Sequence, residues 1–176
     1  GVVKTEEEFK SKVAEGIKES YVEDSKYKFG IDAKAAMIKK MDKLEFPEAF
    51  LKRWLLATNE NMSEETLEKD FPAMLEDLKW YICKSKIASK FEIKVEDDDI
   101  KNFARRMTRI QFAQYGMTGM PDDILDNYAK NMLSKDETRR NVIEKTLEDK
   151  VFDVIKNNVK VVDTTVSVEE FNKLFE

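Results

Sequence analysis

From Thr5 to Asp42, apolar residues recur at a spacing of four. Phe9, Val13 and Ile17 form one row, and Tyr27, Ile31 and Ala35 repeat it about five helical turns on, with Ile38 continuing it. This pattern predicts a single helix over 5–42, uninterrupted at Gly30. Thr5 stands before Glu6, Glu7 and Glu8. It is therefore an N-cap, Glu8 closes a capping box, and the carboxylates sit at the positive end of the helix dipole. Such a helix is about 57 Å long at ~1.5 Å per residue, whereas a compact globule of this chain length is about 40 Å across. Either the helix breaks near Gly30 or the molecule is elongated, and an elongated molecule is the expectation.

The pattern then continues as further helices. Phe46-Pro47-Glu48 opens one carrying Phe50, Leu51, Trp54 and Leu55, with Pro47 suited to its first turn. Ser63-Glu64-Glu65 caps a short segment, and Pro72 restarts a helix running to about Phe91, with Leu75, Leu78, Ile82 and Ile87 inward. Asp97 caps the next helix, which reaches about Tyr115 with Ile100, Phe103, Met107 and Ile110 as its buried stripe. Gly116 and Gly119 form a loop, and Pro121 opens a short helix with Ile124, Leu125 and Tyr128. Residues 136–157 form a last long helix with Ile143, Leu147, Val151 and Val154 as its stripe. The β-branched run 159–166 reads as extended. Ser167 with Glu170 caps a final turn holding Phe171, Leu174 and Phe175. The expected fold class is all-α, without internal repeats.

Composition narrows the function. The 176 residues suffice for one large domain or an extended pair of small ones. Charged residues make up 38 % but the net charge is only −5, so the surface mixes both signs and lacks the basic face of a dedicated nucleic-acid binder. Five glycines and three prolines suit long helices. There is no histidine, which removes the commonest general base and zinc ligand. Cys83 is the only cysteine, so no intrachain disulfide forms and a reducing compartment is expected. No signal peptide and no apolar run near a membrane-spanning length is visible. Gly1 fits a residue left by tag removal, which would make the chain an excised fragment.

The stretch KVEDDDIKNFARRM (94–107) raises the question of a metal site. A calcium loop alternates its ligands and needs a glycine after the fifth position, whereas here three aspartates are consecutive and the next glycine is Gly116. A helix start explains every residue: Asp97 caps, and Asp98 and Asp99 favour the dipole. Arg105, Arg106 and Arg109 read as a solvated face among dense carboxylates rather than a phosphate patch. Cys83 has no histidine to activate it, and no glycine-rich phosphate loop is present.

What remains is apolar. The chain has 8 Met, 11 Phe and 2 Trp. Met37, Met41, Phe46, Phe50 and Trp54 gather around a helix–helix corner. Phe112 lies roughly 120° from Ile100 at ~100° per residue, followed by Tyr115, Met117 and Met120 in and beside the glycine loop. These residues are either core and corner packing or an apolar surface for variable partners, around which flexible methionine repacks.

In order along the chain, FPEAFLKRW (46–54), FEIKVEDDDIKNFARRM (91–107), QYGMTGMPDDILDNYAKN (114–131) and NVIEKTLEDKVFDVIKNNVKVVDTTVSVEEFNKL (141–174) resemble the C-terminal domain of bacterial trigger factor, most closely its Bacteroides-type branch. The resemblance covers essentially the whole chain. It implies one chaperone domain over 1–176: the long helix about 5–42, arms and body 46–158, and an extended segment with a terminal turn 159–176. It further implies an elongated multi-helix body with protruding arms, like the peptide-binding region of parvulin-type chaperones, that cradles unfolded or nascent polypeptides without ATP, metal or cofactor. Contact with nucleic acid or membrane is not expected. The family's ribosome-docking and FKBP-like isomerase domains are absent from this chain. The parent protein would thus be a cytoplasmic, ribosome-associated prolyl isomerase, with the ribosome reached only through the missing domain, and the cradle allows a homodimer. No family motif marks contact residues, so the substrate-binding candidates are the apolar residues named above. A helical scaffold binding one folded partner stays open as an alternative; an enzyme is disfavoured.

Overall fold

A computed structural model describes residues 4–117 and 119–175. The described residues form helices α1 (Glu6–Lys40), α2 (Glu48–Thr58), α3 (Glu64–Lys90), α4 (Asp97–Gln114), α5 (Asp122–Leu133), α6 (Asp136–Asn158) and α7 (Val168–Lys173), with no strand among them. The expected all-α class is found. Both predicted capping boxes form. The Glu8 N–H donates to Thr5 Oγ1 at 3.1 Å while the Thr5 N–H donates to Glu8 Oε2 at 3.3 Å, and Ser167 and Glu170 repeat the arrangement on α7. Residues 160–167 carry no regular structure, and no strand forms in the run read as extended.

Two boundaries differ from expectation. Pro72 does not restart a helix; it lies inside α3. An interior proline removes one backbone bond and costs about 3 kcal/mol. Leu67 and Phe71, 2 % and 4 % exposed, are buried just ahead of it, and their packing offsets that loss. On α4 the N-cap is Glu96 rather than Asp97, because the Glu96 N–H donates to Asp99 Oδ2 at 2.8 Å. Asp97 is then the first helical residue, 3.8 Å from Arg139.

The chain divides into two compact units, one containing the residues up to Trp80 and those from Val161 onward, the other Tyr81–Lys160. In the first unit, Phe9, Val13, Ile17, Tyr27 and Ile31, the apolar row of α1, are all exposed. The buried residues of α1 are Gly30 and Ala33. Small side chains allow a neighbour to come close, so the inward face is the least greasy one. Lys34 pairs with Asp77 of α3 at 3.0 Å. Lys52 of α2 pairs with Glu68 at 2.6 Å and lies 4.8 Å above the Phe71 ring. The α7 segment returns to α1 through rings: Tyr21 meets Phe171 edge-on at 5.6 Å, and Tyr27 stacks on Phe175 at 6.3 Å.

In the second unit α4, α5 and α6 pack around Ile100, Phe103, Ala104, Ala129 and Val142. Leu125 and Val151 are fully buried. The inward face of α4 is rotated from the predicted one: Met107 and Ile110 are exposed, whereas Ala104 and Thr108 are buried. On α6 the predicted Val151 is buried and Ile143 packs against the core, but the remaining buried positions are Val142, Thr146 and Ile155. Thr108 and Thr146 donate their hydroxyls to their own helices, to Ala104 O at 2.9 Å and Val142 O at 2.7 Å. Arg105, Arg106 and Arg109 are not merely a solvated face. They pair with Asp126, Asp149 and Asp122, tying α4 to both neighbours. Buried Lys84 of α3 reaches Glu144 of α6 at 3.0 Å.

Candidate functional site

Two helix ends in the second unit close with the same hydrogen-bond pattern. At the end of α4 the Met117 N–H donates to Phe112 O and the Gly116 N–H to Ala113 O, both at 2.9 Å. This is a Schellman cap, with Gly116 supplying the left-handed residue at φ 74°. At the end of α3 the Ile93 N–H donates to Ala88 O at 2.9 Å and the Glu92 N–H to Ser89 O at 3.3 Å, and the left-handed residue is Glu92 at φ 51°. The first cap matters here because it folds the chain at Met117 back onto the turn that carries Phe112.

Phe112 forms one wall of a cleft of about 380 Å³. Its ring meets Tyr128 of α5 edge-on, with centroids 4.9 Å apart and planes at 82°. The α4 wall is Thr108, Gln111, Phe112 and Tyr115; the facing wall is Tyr128, Asn131 and Met132 of α5 with Lys135 beyond it, and Thr138 of α6 completes the lining. Each wall follows the spacing i, i+3, i+4, i+7 of one helix face. Rings and a thioether offer apolar contact, and the amides of Gln111 and Asn131 offer both a donor and an acceptor to a peptide backbone. Tyr115 is 72 % exposed.

The sequence candidates fall in two places. Met37, Met41 and Phe46 are half-buried, while Phe50 and Trp54, one turn apart on α2, are 55 % and 52 % exposed; all five lie in the first unit. Phe112, Tyr115, Met117 and Met120 lie in the second, where Phe112 and Met120 are half-buried and Tyr115 and Met117 exposed. The cleft unites Phe112 and Tyr115 with Gln111, Tyr128, Asn131, Met132 and Lys135, which the reading of the sequence did not select. Their signal was the shared helical spacing of the two walls, obscured by counting only the greasiest residues.

The acidic stretch is spent on the fold. Asp99 is hydrogen-bonded by Lys150 and by the Glu96 N–H, and these bonds hold its carboxyl below the usual carboxylate range, the lysine contributing most. Asp98 pairs with Lys101 at 3.1 Å. Among the described residues no group of three acidic or cysteine side chains is placed to hold a metal ion. Burial pushes the Cys83 thiol up, away from the reactive thiolate. No helix among the described residues is long and apolar enough to cross a membrane.

Comparison with curated proteins and with solved structures gives no match. Residues 25–175 match a family model described as probable trigger factor, C-terminal domain. That span runs from the middle of α1 through α7 and contains both sets of apolar candidates. Membership implies a chaperone-type function for a non-catalytic region of the protein. By this match the chain belongs to the trigger factor C-terminal domain family.

Proposed function

We propose that this chain is a chaperone domain, of the Bacteroides-type branch, that holds unfolded or nascent polypeptides in the cytoplasm through dispersed apolar patches and releases them without ATP. The observation that carries the reading is the cleft beside Tyr115. There, large rings are held half in water on helices whose own core is already filled by other residues. The Phe50–Trp54 pair on α2 offers a second patch of the same kind. Fully covering one aromatic side chain contributes about 2–3 kcal/mol. Association costs at least ~4 kcal/mol in lost freedom. One patch therefore binds weakly and lets go quickly, and only a client touching several is retained. Binding nascent chains at the ribosome and isomerising prolyl bonds would belong to further domains of the parent protein. Self-association through the same patches would compete with clients.

The test is suppression of aggregation of a chemically denatured client. Tyr115→Ser and Trp54→Ser alter exposed rings and leave the helices intact, so each should weaken suppression by more than about twofold, the discount expected for one of several weak contacts. Absence of suppression by the unaltered chain at every ratio would refute the proposal. So would capture of one folded partner at fixed stoichiometry through these same residues.

A further inference from the structure

One apolar surface of the first unit already has an occupant. Tyr21 and Tyr27 project from α1 and receive Phe171 and Phe175 of the chain's own terminal segment, whose two rings also meet each other edge-on at 5.3 Å. The segment is weakly built. Residues 160–167 have no regular structure, and α7 spans only Val168–Lys173, held at its start by the Ser167–Glu170 capping box. A helix this short does not persist on its own, so its form depends on docking. The docking is one-sided: Leu174 and Phe175 stay 49 % and 43 % exposed. Around the two tyrosines, Ile17 and Ile31 on the same side of α1 are exposed as well, so the surface is larger than the segment covering it.

We infer that the Tyr21–Tyr27 face of α1 is a binding surface for short amphipathic segments bearing two aromatic residues one helical turn apart, which α7 fills in cis and from which an unfolded client of the same chemistry displaces it. The cis segment holds its place through high effective concentration rather than through strong contacts. Displacement requires no energy source, because one set of aromatic contacts replaces another. Only the identity of the competitor rests on the proposed function; the occupied surface itself does not.

The test uses the full chain and a fluorescein-labelled peptide with the sequence of residues 167–175 as probe. Phe171→Ala with Phe175→Ala empties the surface, and by removal of the cis competitor the probe should bind about tenfold tighter than to the unaltered chain. Adding Tyr21→Ala and Tyr27→Ala to that background should reverse the gain. A permanently unfolded, reduced and alkylated protein should displace the bound probe. Equal probe affinity in all three chains would overturn the inference. So would a tightly bound probe that the unfolded protein fails to displace. Probe binding is read without any aggregation assay, so its outcome is independent of the Tyr115→Ser and Trp54→Ser results.

Discussion

Replacing Gly16 or Gly116 by alanine adds the same methyl group at two positions where it meets nothing within 4 Å. Sterics therefore drop out and only backbone conformation differs. Gly16 lies inside α1, where glycine costs about 0.5–1 kcal/mol relative to alanine. Gly116 sits at φ +74°, where an L-residue costs about 1–2 kcal/mol, offset by roughly 0.5 kcal/mol from the narrower unfolded ensemble. The expected result is about 1 kcal/mol of local stabilisation for Gly16→Ala and about 1 kcal/mol of loss for Gly116→Ala. Amide hydrogen exchange reads both locally. Protection over residues 9–20 should rise about fivefold in the first variant, and at the Schellman amides of positions 116 and 117 fall about fivefold in the second. The second change also loosens the turn carrying Phe112 and Met117, so client binding should weaken with it. Matching signs for the two substitutions, or an unchanged exchange rate at position 117, would refute the reasoning.

Two other outcomes follow from single residues. Glu92→Gly relieves the left-handed residue of the α3 cap, which should stabilise the protein by about 0.5–1 kcal/mol and raise Tm by about 2–4 °C per kcal/mol, measured by thermal unfolding. Asp99 has its carboxyl pKa lowered in the folded state, so its contribution is fully present above the unfolded value near ~3.9 and is lost as pH falls through the folded value. Asp99→Asn should therefore lower stability at neutral pH, with the gap to the unaltered protein closing in acid; a gap independent of pH between 7 and 2 would argue against the Lys150 bond as its source.

Much of the fold was legible because helix ends carry local chemistry. Thr5, Ser167 and Pro121 each announce a boundary that does not depend on what the helix packs against. Which face turns inward was less legible, because that choice belongs to the neighbours. Large apolar residues suggested Met107 and Ile110 on α4, beside Ile100 and Phe103. Ile100 and Phe103 do turn inward, but the further buried positions are small ones, Ala104 and Thr108 on α4 as Gly30 and Ala33 on α1, since close helix approach needs little side chain. Pro72 misled because local propensity was outweighed by the packing of Leu67 and Phe71. The three arginines of α4 looked solvent-bound because their partners lie on other helices. The cleft was half legible: Phe112 and Tyr115 stood out, whereas Gln111, Asn131 and Lys135 look like ordinary surface until two helices bring them opposite each other.

Thr108 and Thr146 are hidden polar groups that look no further than their own helices for a partner. Neither hydroxyl therefore fixes α4 and α6 in register. The attractions that do cross between these helices include ion pairs such as Arg106 with Asp149, which lie partly in water and yield cheaply. Small sideways slips of α4 can then reshape the wall that Phe112 belongs to while stranding neither threonine, a tolerance that would serve the proposed binding of unlike polypeptides there.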